Sequence, residues 1–148
     1  MKALVLYDSS FGNTKHLAEV IAAELGKEAE TVFIENADPA ELSRAELLII
    51  GSPIQGFRPT EKMNKFLTHL KPGQLNGVKA TTFDTRVKVW IHGNAADPMA
   101  HQLKRAGAEI ICKQEYFYVE GKEGPIFPGE VERAITWANQ IKEIAGLK

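Results

Sequence analysis

The sequence predicts an α/β protein in which a parallel sheet is covered by helices on both faces, and three observations support this. Strand-like apolar runs alternate with helix-like segments along the whole chain. The runs at Lys2–Asp8 and Glu46–Gly51 are almost continuously apolar, as strands buried on both sides require. The connections are long enough to hold helices, so successive strands join as right-handed βαβ units.

Each element has its own signal. Lys2–Asp8 is the first strand. Thr14–Gly26 follows as a helix, with Leu17, Ile21 and Leu25 on one stripe and Gly26 as its stop. Thr31–Ile34 is a short, less apolar strand nearer an edge, and Pro39–Arg44 gives a brief helix. Glu46–Gly51 is the third strand. Thr60–Leu70 is amphipathic, with Met63, Phe66, Leu67 and Leu70 at helical spacing. Val78–Phe83 is the fourth strand. Asp97-Pro98 then reads as a cap and first turn, opening a helix that runs to about Gly107. Glu109–Cys112 begins a fifth strand that extends toward Tyr116–Val119. A Gly- and Pro-rich loop, Gly121–Gly129, precedes the last helix, Glu130–Ala145, whose inner face carries Val131, Ala134, Ile135, Ala138 and Ile141.

With 148 residues, 44 % hydrophobic and 25 % charged, the chain reads as one domain spanning residues 1–148. A net charge of −1, without a basic tract, argues against nucleic acid or anionic lipid as a partner. No apolar run approaches the ~20 residues of a membrane span, and Lys2 with five apolar residues before Asp8 is too short for a signal peptide. Cys112 has no partner for an internal disulfide, which favours the cytoplasm, and reads as an inert core thiol. His16, His69, His92 and His101 show no metal-ligand spacing.

Ligands of such sheets bind beyond the carboxyl ends of the strands, where the strand order reverses. The loop after the first strand, Ser9-Ser10-Phe11-Gly12-Asn13-Thr14, leads straight into a helix. Its hydroxyls, amide and backbone N–H groups suit a phosphate dianion, although the same residues would also serve as an ordinary capped turn. It lacks the glycine pattern of dinucleotide sites and the Gly-Lys-Ser/Thr of nucleotide triphosphatases. The loop after the third strand, Gly51–Pro59, can wall a planar ligand or merely redirect the chain. The fourth strand ends in Phe83-Asp84-Thr85-Arg86 and leads on to Trp90, either a stacking surface or core packing.

Together these loops, and the order of elements over nearly the whole chain, resemble the flavodoxin family. Ser9–Thr14 is similar to the family's phosphate loop, Ser/Thr-x-Thr-Gly-x-Thr, with Phe11 replacing a hydroxyl residue at its centre. Gly51–Phe57 resembles the first flavin loop and Asp84–Trp90 the second. The resemblance implies a three-layer flavodoxin-like fold with a five-stranded parallel sheet, order 2-1-3-4-5, and flavin mononucleotide (FMN) as cofactor. It implies a phosphate held by Ser9, Ser10, Phe11, Gly12, Asn13 and Thr14. Pro53, Ile54, Gln55, Gly56, Asp84, Thr85 and Arg86 would surround the isoalloxazine, with Trp90 stacked on its outer face. Gln55 falls where many members carry an inner aromatic ring, so one wall is polar unless Phe57 turns inward. The absence of a long insertion in the fifth strand matches the short-chain type.

The function so implied is electron transfer between protein redox partners, with no side chain acting as acid or base. A quinone or NAD(P)H reductase on the same fold is the first alternative; a module that has lost its flavin is the second. The weakly charged chain, with Arg58, Lys62, Arg86 and Lys88 in or beside the flavin loops, further predicts a less negative potential than that of strongly acidic flavodoxins, with Arg86 the residue of most influence.

Overall fold

The computed structural model describes residues 2–146. Its strands are β1 (Ala3–Tyr7), β2 (Ala29–Phe33), β3 (Leu47–Pro53), β4 (Lys79–Val87), β5 (Glu109–Ile110) and β6 (Glu115–Val119). Its α-helices are α1 (Asn13–Leu25), α2 (Pro39–Ser43), α3 (Glu61–Thr68), α4 (Ala96–Arg105) and α5 (Glu130–Ala145), with a 3₁₀ turn at Ile34–Asn36. All strand pairs are parallel, in the order β2-β1-β3-β4-β5, and β6 also pairs with β4. This is the expected order with one addition.

The period-2 alternation of strand side chains divides the core in two. Leu4, Leu6, Leu48, Ile50 and Ala80 face Met63 and Leu67 of α3 and Met99 and Leu103 of α4. Ala3, Val5, Leu47, Ile49 and Phe83 face Leu17 and Ile21 of α1 and Ala134, Ala138 and Ile141 of α5. Trp137 belongs to the second cluster, edge-on to Phe83 and Phe117 at centroid distances of 6.0 and 5.9 Å. At Gly51 on β3, an added Cβ would lie 2.1 Å from the Phe83 ring, so glycine makes room for that side chain.

Three features differ from the sequence expectation. First, β4 continues through Asp84, Thr85 and Arg86 to Val87, because β6 pairs with Phe83–Val87. Second, the fifth strand is broken into β5 and β6, with residues 111–114 between them. Cys112 is half-buried in this break, and burial pushes its thiol pKa up, away from reactivity. Third, Asp97 sits inside the first turn of α4 and does not cap it. The buried Asp84 carboxylate takes that place, its Oδ2 accepting the Ala95 and Ala96 N–H groups at 3.1 and 3.0 Å.

Candidate functional site

A cleft of ≈ 280 Å³ opens where the loops after β1, β3, β4 and β6 converge. Alternation along β4 aims Asp84 and Arg86 to one face and Thr85 to the other, so the end of this one strand serves both sides of the cleft.

One end is built on the start of α1. Gly12 precedes the helix at φ 95°, and neither a side-chain cap nor an acidic residue occupies the first turn. Its first N–H groups therefore project with the positive end of the helix dipole, an arrangement suited to a phosphate. Ser9 Oγ accepts the Gly12 N–H at 3.0 Å. Thr14, buried, hydrogen-bonds through Oγ1 to Oγ1 of Thr85 at 3.0 Å, joining α1 to β4. The buried Asp8 braces the loop from behind, accepting from the Ser9 N–H (2.8 Å) and the Thr60 hydroxyl (2.5 Å). Thr60 Oγ1 in turn accepts the Met63 N–H at 3.2 Å and caps α3.

The loop after β3 is a tight hairpin. Gln55 and Arg58 exchange backbone hydrogen bonds of 2.8 and 3.2 Å. Gly56 and Phe57 at its tip have φ of 58° and 69°, the two positive values of a type I′ turn. Gln55 Nε2 donates to Ser10 Oγ at 2.6 Å, fastening the hairpin to the first loop. On the other side Asn94 N–H donates to Phe57 O at 3.0 Å. Gly93 lies so close that a Cβ there would fall 2.3 Å from Phe57 Cα. The hairpin is thus held between its two neighbours.

Arg86 is nearly fully buried. Its Nε and Nη2 meet Asp84 Oδ1 and Oδ2 at 2.8 and 2.6 Å, and its guanidinium lies 3.7 Å from the centroid of the Tyr116 ring. Nη1 lies 3.3 Å from Nδ1 of the half-buried His92.

Of the residues singled out from sequence, Ser9, Ser10, Phe11, Asn13, Thr14, Pro53, Ile54, Gln55, Gly56, Thr85 and Arg86 line the cleft. Gly12, Asp84 and Trp90 do not. Gly12 is exposed at the start of α1, Asp84 is fully buried, and Trp90 projects into solvent with 90 % of its surface exposed. Phe57 joins the lining, as do Val87, Val89, Ile91, His92, Val119 and Lys122, which sequence reasoning did not select. The apolar residues on either side of Trp90 were a readable signal; Lys122 was readable only as part of another loop at the carboxyl end of the sheet. Among the described residues no group of histidine, cysteine and carboxylate side chains could hold a metal ion, and no helix is long and apolar enough to cross a membrane.

A helix N-terminus bare of caps and acids, beside a cleft walled by two loops at a reversal of strand order, defines a mononucleotide-binding α/β protein. Residues 4–112 match the flavodoxin domain family, and the chain belongs to it. Its cofactor is accordingly FMN, and the donors at α1 fit the phosphate. The fold is shared with Flavodoxin 2 from Bacillus cereus at TM-score 0.85 and 24 % identity, covering 97 % of this chain and 99 % of the other. It is shared too with a WrbA-like flavodoxin from Agrobacterium tumefaciens, at TM-score 0.77 and 19 % identity over 98 % and 97 % of the two chains. The rubredoxin oxygen:oxidoreductase of Desulfovibrio gigas contains a similar unit, at TM-score 0.79 and 20 % identity over 98 % of this chain and 36 % of that one. No curated protein matches the chain by sequence.

Proposed function

We propose that the protein is an FMN-dependent electron carrier acting between protein redox partners in the cytoplasm. The observation that carries this reading is the cleft itself, which joins a phosphate-type helix terminus to a walled slot open at its rim. FMN supplies the redox chemistry when bound; the chain binds, orients and insulates it. Ser9, Ser10, Gly12, Asn13 and Thr14 hold the phosphate. Pro53–Gly56 and Thr85–Arg86 border the ring, and Asp84 acts by fixing Arg86 and α4. Among the lining residues no carboxylate is available as a general acid or base.

The outer face of the ring needs apolar cover. Val89 and Ile91 line the cleft already, whereas Trp90 must turn inward to stack. In a Trp137→Phe background, quenching of Trp90 emission on FMN addition identifies the stacked ring. Unchanged emission assigns the cover to Val89 and Ile91.

The reductase reading is favoured by a single feature, the polar Gln55 wall with Phe57 64 % exposed, which leaves room above the ring for a second planar molecule. The deciding experiment is an absorption spectrum of the FMN-loaded protein during anaerobic addition of NADH or NADPH. A carrier leaves the flavin oxidised on the minute scale and is reduced only by a partner protein or dithionite. Rapid bleaching followed by turnover with a quinone identifies the reductase.

A further inference from the structure

We infer that Lys122 is the counter-charge of the flavin phosphate, a role that residues 9–14 leave open because they contain no cation. This rests on the FMN reading above. Two lysine or arginine side chains line the cleft, Arg86 and Lys122, together with His92, whose Nδ1 lies against Arg86 Nη1 and Gly93 O. Arg86 is already committed, bidentate, to Asp84. Lys122 is exposed, and among the described residues no carboxylate pairs with it.

The loop that carries Lys122 is firmly placed. Glu120 N–H donates to Pro125 O at 2.8 Å, Gly124 N–H to Gly121 O at 2.9 Å, and Phe127 N–H to Tyr118 O at 3.0 Å. Val119 and Ile126 form an antiparallel bridge that closes it. Gly124 packs directly on the Asn13 side chain, where an added Cβ would lie 2.8 Å from Oδ1. That contact sets the loop against the first turn of α1, and Lys122 stands two residues from it. A lysine ammonium is a point charge on a flexible stem, suited to a dianion whose directional hydrogen bonds come from backbone N–H groups and hydroxyls. The loop after β6 thereby adds the charge that the loop after β1 lacks.

The test compares FMN with riboflavin, which has the ring but no phosphate. Both are titrated by flavin fluorescence into flavin-free wild type, Lys122→Gln and Lys122→Arg, at low salt and at about 0.5 M salt, where surface charges are screened. Lys122→Gln is expected to weaken FMN binding about five- to tenfold at low salt, the size of a solvent-screened charge-assisted hydrogen bond. Riboflavin affinity stays unchanged, the gap closes at high salt, and Lys122→Arg keeps most of the wild-type affinity. Equal FMN affinity in wild type and Lys122→Gln at both salt levels overturns the assignment and leaves the flavin reading intact. An equal loss for riboflavin places Lys122 at the ring and also overturns it. Failure of wild type to bind either flavin overturns the flavin reading, and the role of Lys122 falls with it.

Discussion

Asp84 carries several interactions at once: it neutralises Arg86, orients that guanidinium beneath Tyr116 and caps α4. Removing it leaves a nearly buried cation without a counter-charge and two helix N–H groups without an acceptor. Asp84→Ala should therefore cost about 3–5 kcal/mol by urea denaturation, the range for breaking a buried pair. Asp84→Ala with Arg86→Leu should recover part of that loss, because no isolated charge remains. Equal losses in the single and double variants would mean that the cap outweighs the ion pair. At the hairpin tip Phe57 adopts a left-handed conformation that costs an L-residue about 1–2 kcal/mol, while its ring is largely exposed. Phe57→Gly should raise stability by about 0.5–1 kcal/mol after the extra chain entropy of glycine is subtracted. A lower denaturation midpoint would show that contacts of the ring exceed the backbone strain. Gly56, by contrast, suits its φ of 58° and has open space around it.

The last helix is tied to β6 by a charged cluster. Glu130, in the first turn of α5, accepts the Tyr118 N–H at 2.8 Å and pairs with Arg133 at 2.9 Å, and Arg133 reaches Glu115 at 3.1 Å. Hydrogen bonds from Arg133, and then from the Tyr118 backbone, hold the Glu130 pKa below the ordinary glutamate value against the effect of burial. A carboxyl with a depressed folded pKa stabilises the fold above its unfolded pKa, and this stability is lost as pH falls through the folded value. Glu130→Gln should thus be less stable than wild type at pH 7 and show a shallower decline in stability below about pH 5. Parallel pH profiles would exclude Glu130 as a source of the acid sensitivity. The helices were largely legible in the sequence because their stripes are local: the bounds of α5 were read without error. The ends of β4 and β6 were not. Asp84 and Arg86 look like loop residues until β6 lies beside them and α4 takes up the carboxylate. The loop at residues 9–14 and its entry into α1 were legible for the opposite reason, since the donors and the helix are adjacent in sequence. Lys122 reaches the same cleft only through the pairing of β6 with β4, which periodicity does not encode.

For the molecule as a whole, charge around the cleft is arranged differently from the sequence expectation that gave Arg86 the most influence. Arg86 is neutralised by Asp84, so Arg86→Glu would place two buried carboxylates together and unfold the site before it reported on the flavin. With Arg86 paired, Lys122 is the lysine or arginine of the cleft lining that no carboxylate partners among the described residues, and no carboxylate lines the cleft. Reduction adds negative charge to FMN, so its midpoint potential should be less negative than in strongly acidic flavodoxins. It should stay level or fall as salt rises toward about 1 M, where the Debye length shrinks to ~3 Å. A potential that climbs with salt would reveal a net negative field. The break in the fifth strand has a further consequence at the outer border of the sheet. An unbroken strand there would offer a long, straight ladder of free N–H and C=O groups to any neighbouring molecule. Splitting it into a two-residue and a five-residue segment, with the irregular stretch 111–114 between them, interrupts that ladder and makes in-register stacking of one molecule on another unfavourable. A protein with an entirely parallel sheet exposes its edges while folding, and this interruption works against amyloid-like association of those edges.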